Sequence, residues 1–234
     1  MSKGFQFKQF SIENSDCGMP VSTDGVLLGA WANANKHDAV LDIGTGTGLL
    51  SLMMAQRFPH AHITAIDIDQ QAVATARLNA EQSTWGHRIH VMQQDITQWP
   101  DSKKFDTIIC NPPYFNSGEH AADVKRAMAR HTDTLSHDGL LKAIKSRLSQ
   151  NGHAHLILPS VEAEQLITKA ISHGLYCHRL TTVKPTPNKP VSRKLITLSP
   201  VEHEKCLQNA LVIQENGAYS DDFVALTKDF YLKM

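Results

Sequence analysis

The sequence predicts an α/β fold built on a mostly parallel sheet, and three observations predict it. Short apolar runs alternate with amphipathic stretches of helical length along most of the chain. The first core run, Val40-Leu41-Asp42-Ile43, passes straight into Gly44-Thr45-Gly46-Thr47-Gly48 and then an amphipathic stretch from Leu49 to Arg57. The fourth, Phe105 to Cys110, ends in Asn111-Pro112-Pro113-Tyr114. Open α/β sheets bind ligands beyond the carboxyl ends of their strands, which is where both motifs fall.

A length of 234 residues suits one large domain with a full core. Its parts are an N-terminal extension over the site (1–38), a sheet-and-helix core (39–200) and a C-terminal strand/helix extension (201–234). Lys plus Arg number 23 and Asp plus Glu number 23, so any surface for nucleic acid has to be local. The 13 histidines are scattered, and no Cys–His set has zinc spacing, so no metal is expected. Cysteines 17, 110, 177 and 206 form no C-x-x-C group, and Cys110 reads as a buried thiol in a strand. There is no secretory leader and no bilayer-spanning apolar run. The expectation is a reduced, cytoplasmic protein with no membrane and no obligatory protein partner.

Phe5, Phe7 and Phe10 nearly alternate with polar residues, as in a half-buried edge strand or hairpin. Val26 to Trp31 reads as a helix for which Ser22, Thr23 or Asp24 is the cap. Capping and a role at the site are both open for Thr23 and Asp24. Strand two is His62 to Ile66, followed by Asp67, and a helix runs from near Gln70 to Gln82 with Asp69 as its cap. Strand three is Arg88 to Met92, and strand four is Phe105 to Cys110. A loop is expected over residues 115–122 and a basic helix from Val124 to Arg130. A further helix runs from Leu135 to Gln150, closed by Asn151-Gly152. Strand five is Ala154 to Leu158, with a helix from Val161 to His173. Tyr176 to Val183 and Lys194 to Leu198 make a hairpin-like ending, giving seven strands with an antiparallel one at the edge. Tyr219 to Met234 reads as an amphipathic helix whose apolar face packs on the domain.

The site residues carry the chemistry. Gly44, Gly46 and Gly48 let the backbone approach a ligand closely. Their G-x-G-x-G spacing differs from the G-x-G-x-x-G of nicotinamide enzymes. Asp42, just before them, would oppose a pyrophosphate but attract an ammonium, which favours S-adenosylmethionine over a dinucleotide. Asp67 at the second strand's end is placed to accept ribose hydroxyls. Asp95 at the third is placed for an adenine amine, with Ile96 against the ring. Pro112 and Pro113 stiffen the turn after the fourth strand and remove two backbone donors. The carbonyls of Asn111 and Pro112, the Asn111 amide oxygen and the Tyr114 ring then form a socket for a planar group bearing an NH2.

No acidic residue lies between Glu164 and Glu202, while Lys169, Arg179, Lys184, Lys189, Arg193 and Lys194 do. Two readings stand: a phosphate-contacting surface, or a solvated loop whose lysines and prolines protect an edge strand.

Asp42-Ile43-Gly44-Thr45-Gly46-Thr47-Gly48 with Asn111-Pro112-Pro113-Tyr114 resembles the class I S-adenosylmethionine-dependent amino-methyltransferases, whose fold is Rossmann-like with helices on both faces. The Phe5–Phe10, Thr23–Trp31 and Phe230–Met234 stretches are similar to the bacterial valine-tRNA adenine-37-N6 methyltransferases. The resemblance implies S-adenosylmethionine as cofactor and the anticodon loop of a tRNA as partner. The catalytic residues it implies are Asn111, Pro112, Pro113 and Tyr114. It places Thr23, Asp24, Asp42, Gly44, Gly46, Gly48, Asp67, Ile68, Asp95, Ile96 and Asn111 at the cofactor. Lys125, Arg126, Arg130, Lys184, Lys189, Arg193 and Lys194 are the expected RNA contacts. The tetrapeptide also serves glutamine-N5 and guanine-N2 transfer, so a protein-glutamine enzyme and an rRNA or DNA enzyme remain alternatives. A nicotinamide dehydrogenase and a non-catalytic RNA-binding module are rivals of other classes.

Overall fold

The computed structural model describes residues 4–14, 21–35, 37–100, 102–113 and 135–234. Tyr114, Lys125, Arg126 and Arg130, with the expected loop 115–122 and helix 124–130, lie outside the described residues.

A two-strand hairpin, β1 (Phe5–Gln6) and β2 (Ser11–Ile12), opens the chain and is followed by α1 (Thr23–Trp31). Then come β3 (Ala39–Ile43), α2 (Leu49–Arg57), β4 (His62–Asp67), α3 (Gln70–Glu81), β5 (Ile89–Gln93) and β6 (Phe105–Cys110). After the undescribed stretch follow α4 (His137–Arg147), β7 (Leu148–Pro159), α5 (Ser160–Ala170), β8 (Tyr176–Lys184) and β9 (Arg193–Ser199). The chain ends with β10 (Leu207–Val212), the hairpin β11 (Gln214–Glu215) and β12 (Ala218–Tyr219), and α6 (Asp221–Thr227).

Eight strands form the central sheet in the order β10-β8-β9-β7-β6-β3-β4-β5. All neighbours are parallel except β9, which runs antiparallel to both β7 and β8. Two expectations are corrected here. The sheet has eight strands rather than seven, and the antiparallel strand is internal rather than at the edge. Composition gives the reason: Leu195, Ile196 and Leu198 are fully buried, so β9 needs cover on both sides. The edge goes to β10, whose first four residues are exposed.

The helix expected to reach Gln150 stops at Arg147, whose buried guanidinium lies over the Trp99 ring and bonds the Trp99 carbonyl. Leu148 already pairs with Phe105, and the ladder resumes at Thr107 with His153. Asn151-Gly152 is therefore a bulge inside β7, not a helix end. A Cβ at Gly152 would lie 2.9 Å from the Asp106 carbonyl oxygen. The C-terminal helix is also shorter than expected, because Tyr219 belongs to β12 and helix is confined to Asp221–Thr227. Its apolar face packs as anticipated, with Phe223 buried, and Phe230 beyond the helix is buried too.

Both sheet faces are covered. One core joins α1, α2 and α3 residues with Phe7, Phe10, Phe223 and Phe230. The other joins α4 and α5 to Leu41, Ile66, Ile108 and Leu156. No helix among the described residues is long and apolar enough to cross a membrane.

Candidate active site

The carboxyl ends of β3, β4, β5 and β6 are consecutive along one side of the sheet, apart from the β6-β3 order that the topology sets. That side brings together Asp42 and the glycine loop, Asp67, Asp95 and Asn111. Each arrives there through a local reason.

Asp42 is fully buried at the end of β3. Its Oδ2 accepts the Thr45 hydroxyl at 2.7 Å and the Ser51 hydroxyl at 2.7 Å, tying the glycine loop to the first turn of α2. Its Oδ1 is buried with no hydrogen-bond partner. Burial pushes the carboxyl up to about 6, against the two hydroxyls, and the nearby Asp67 charge pushes the same way. Thr45 and Ser51 were not singled out from sequence, although a Thr-Gly-Thr loop followed by a serine on α2 is the available signal.

Gly46 has φ 55°, and nothing lies within 4 Å of where its Cβ would be, so the loop backbone faces open space. Its N–H donates to Asp67 Oδ2 at 2.9 Å. Gly44, also at positive φ, and Thr45 both donate from their N–H groups to the Ile66 carbonyl at 2.9 Å. At Gly48 a Cβ would meet the Ala76 backbone at 3.4 Å, so this glycine lets α2 and α3 pack closely.

Asp67 ends β4 and takes the Asp69 N–H on Oδ1 at 3.0 Å. Burial raises its carboxyl, opposed by these backbone donors. Each oxygen keeps a second lone pair for a hydroxyl. Asp69 caps α3 by accepting the Gln71 N–H at 3.0 Å, which separates the two acids as the sequence suggests. Ile68 projects between them, 51% exposed, an apolar face next to two carboxylates.

Asp95 is more engaged than expected. Its Oδ1 accepts the Thr97 N–H at 2.8 Å and hydroxyl at 2.7 Å, and its Oδ2 accepts the Gln98 amide at 2.9 Å. The carboxylate shapes the turn after β5. Ile96 is buried in the core with Ile43 and Ile66 rather than lying open as a ring surface.

Asn111 follows β6, above the buried Cys110. Burial pushes the Cys110 thiol far up, which keeps it neutral and inert. Asn111 Oδ1 is buried and has no hydrogen-bond partner among the described residues. Pro112 is buried and Pro113 half-buried. Asp42 Oδ1 and Asn111 Oδ1 are thus two orphaned acceptors at the ends of adjacent strands. Buried acceptors in that state cost about 1–3 kcal/mol each. They fit an ammonium on one ligand and an amine on a second, brought together at the edge between β3 and β6.

Thr23 is the first residue of α1, but the cap is Ser22, whose hydroxyl accepts the Gly25 N–H at 3.1 Å. Asp24 is bound to Arg193, Nε to Oδ2 at 2.7 Å. Arg193 starts β9 beside the end of β7, so this pair sits beyond β6, away from the β3–β5 half. Lys194 pairs with Glu164 at 2.7 Å, Lys169 pairs with Asp138 at 2.6 Å, and Arg179 stacks over Trp31 at 3.7 Å. Three of the six cations in the acid-free stretch thus meet acids from other elements. Arg193 and Lys194, expected as RNA contacts, are among them. Lys184 at the end of β8 and Lys189 on the β8–β9 loop form no ion pair among the described residues.

The family model of the methyltransferase small domain matches residues 11–169. A tRNA1(Val) (adenine(37)-N6)-methyltransferase of Vibrio cholerae is 53% identical over 238 residues, covering 100% of this chain and 97% of that protein. One of Photobacterium profundum is 51% identical and covers 100% of both. Among solved structures, a "predicted O-methyltransferase" from Agrobacterium tumefaciens superposes with a TM-score of 0.66 at 20% identity, over 88% of this chain and 96% of that one. A methyltransferase from Pyrococcus furiosus gives 0.58 at 18% identity, over 82% and 90%. Those two likenesses are of fold. On the family match and these full-length identities, the chain belongs to the methyltransferase small-domain family and, within it, to the group of the tRNA1(Val) (adenine(37)-N6)-methyltransferases.

Proposed function

We propose that this protein methylates the exocyclic N6 of adenine 37, in the anticodon loop of a valine tRNA, with S-adenosylmethionine as donor. The observation that carries the chemistry is the buried, unpartnered Asn111 Oδ1 beside two consecutive prolines. The names of the full-length relatives support the substrate.

S-adenosylmethionine supplies an electrophilic methyl group on a sulfonium. The residues we propose would hold it are Asp42 and the Gly44–Gly48 loop for the amino-acid end, Asp67 for the ribose and Ile68 for the adenine ring. An aromatic amine is a weak nucleophile because its lone pair is delocalised into the ring. Asn111 Oδ1 accepts one N6 proton and the Pro112 carbonyl the other, which favours a pyramidal nitrogen with its lone pair directed at the methyl. Both acceptors strengthen their bonds as positive charge develops on nitrogen, so they stabilise the transition state more than the ground state. The extra proton leaves to water after transfer, and no dedicated base is needed. Pro113 fixes the turn, and Tyr114 supplies a stacking face worth about 1–3 kcal/mol. A loop adenine is cheaper to extrude than a paired one.

The direct test combines purified protein, tritiated S-adenosylmethionine and unmodified valine tRNA, followed by nucleoside analysis. N6-methyladenosine at position 37 is the expected product. Label on release-factor or ribosomal protein instead would move the acceptor to glutamine. Label on another RNA keeps the chemistry and discards the anticodon loop.

Lys125, Arg126 and Arg130 remain proposed RNA contacts. Within the described stretch the open cations reduce to Lys184 and Lys189. Lys189→Ala is therefore expected to lower the slope of log affinity against log salt by about 0.7 for a single-stranded loop. An unchanged slope in a titration from low to moderate salt removes Lys189 from the phosphate surface.

A further inference from the structure

The cofactor residues occupy the β3–β4–β5 half of the carboxyl edge, and the target amine sits at β6. Among the described residues, the half of that edge left beside the target amine is β7–β9–β8–β10. β8 and β10 are parallel to β6, so their carboxyl ends point the same way. The β8–β9 loop and the β11–β12 hairpin rise there side by side, held together by the Gln214 N–H on the Pro185 carbonyl at 3.0 Å. Between them lies a cleft of about 410 Å³, lined by Thr186, Pro187, Asn188 and residues 214–217.

Three features of this cleft suit an unpaired nucleotide. Asn188, Gln214 and Asn216 are exposed amide side chains, which pair with base edges through one donor and one acceptor each. Tyr219 lies outside the lining but next to it: it is 50% exposed and opposite the lining residue Gln214 in the hairpin, so the two side chains share a face. Its ring stacks on the buried Phe223 at 4.9 Å between centroids, which holds it in place and leaves a solvent-facing surface for a base. Lys184, the last residue of β8, and Lys189 on the loop bracket the lining residues Thr186–Asn188 in sequence. Glu215 is the single acid in the lining. Four strand spacings of ~4.8 Å separate β6 from β10, so the cleft is roughly 19 Å from Asn111, within reach of a short single-stranded loop.

We propose that this cleft receives one unpaired nucleotide of the same loop, several nucleotides along the strand from the target adenine, and reads it through Asn188 and Asn216, with the neighbouring Tyr219 as the stacking surface. The proposal rests on the reading of RNA as substrate and adds a specificity site to it. The turn itself is preorganised: Asn216 at φ 51° and Gly217 at φ 81° form the hairpin turn, so Asn216 is presented without further ordering.

The test uses an unmodified valine-tRNA anticodon stem-loop and three variants: Asn188→Ala, Asn216→Gly and Tyr219→Leu. Glycine keeps the positive-φ turn, and leucine keeps an apolar contact with Phe223. Each variant is expected to raise KM for the stem-loop about tenfold, with kcat at saturating RNA, S-adenosylmethionine affinity and Tm retained. Scanning the loop bases one at a time should find one position whose replacement raises KM for the wild type but not for Asn188→Ala. Wild-type KM in all three variants, with methylation intact, overturns the cleft and leaves the RNA reading standing. A wild-type enzyme that methylates no RNA overturns both. A variant that raises KM only together with a fall in Tm, and with no base position singled out, assigns the hairpin a structural role and overturns the proposal.

Discussion

Asn111→Ala is expected to lower kcat for methyl transfer by about 10²–10³-fold while S-adenosylmethionine affinity stays within a few-fold. The magnitude is that of removing one preorganised hydrogen-bonding group aimed at developing charge. The split between turnover and binding follows from geometry: the glycine loop, Asp67 and Ile68 sit on β3 and β4, and Asn111 sits beyond β6. The variant has a second readout. In the free protein Asn111 Oδ1 is a buried acceptor with no partner, which costs stability. Removing it should leave Tm unchanged or raise it. A dead enzyme with raised or unaltered Tm is the signature of a group held unsatisfied for the reaction. A dead enzyme that also loses cofactor affinity means that Asn111 holds the donor rather than the acceptor. A dead enzyme with a Tm several degrees lower means that the residue supports the turn.

The parts of the fold that were legible in the sequence are those specified locally. β6 and α2 begin and end where the apolar runs do, because glycines, prolines and capping residues bound them. The misread parts depend on long-range partners. Nothing near Lys194 says which strands flank β9; only its unbroken apolar run, Leu195-Ile196-Thr197-Leu198, hints at an interior position. The β7 bulge depends on how Leu148 and His153 register with β6, which no local pattern encodes. Asn216-Gly217 is a strong hairpin signal, yet the aromatic spacing after it was read as one helix. The same division holds at the site. Residue types at strand ends located Asp42, Asp67 and Asn111. The acids that pair with Arg193 and Lys194 lie 30 or more residues away in sequence, so a charge excess along the chain is only partly one in space.

Asp42→Asn is expected to trade cofactor affinity for stability, with a pH dependence that identifies the cause. The buried Asp42 carboxyl is pushed up to about 6 from an ordinary 3.8. Between those values the folded protein holds a proton that the unfolded chain has released. The unfolded state then binds fewer protons, so stability falls as pH rises through this window and levels off above it. Two pKa units correspond to about 3 kcal/mol, an upper figure because the neighbouring Asp67 titrates in the same direction. Asparagine cannot ionise, and its Oδ1 can still accept from Thr45 and Ser51, so the glycine loop is kept. Without cofactor, the variant should melt higher than the wild type at pH 8 and match it near pH 4. Its affinity for S-adenosylmethionine should fall at least tenfold at pH 8, because the ammonium loses its counter-charge. Wild-type affinity should rise from pH 5 to pH 7 as Asp42 ionises, and the variant's should stay flatter. Calorimetric titration at several pH values measures both. A variant that gains stability yet keeps wild-type affinity and pH slope would confine Asp42 to holding the loop and assign the ammonium to another group on the same edge.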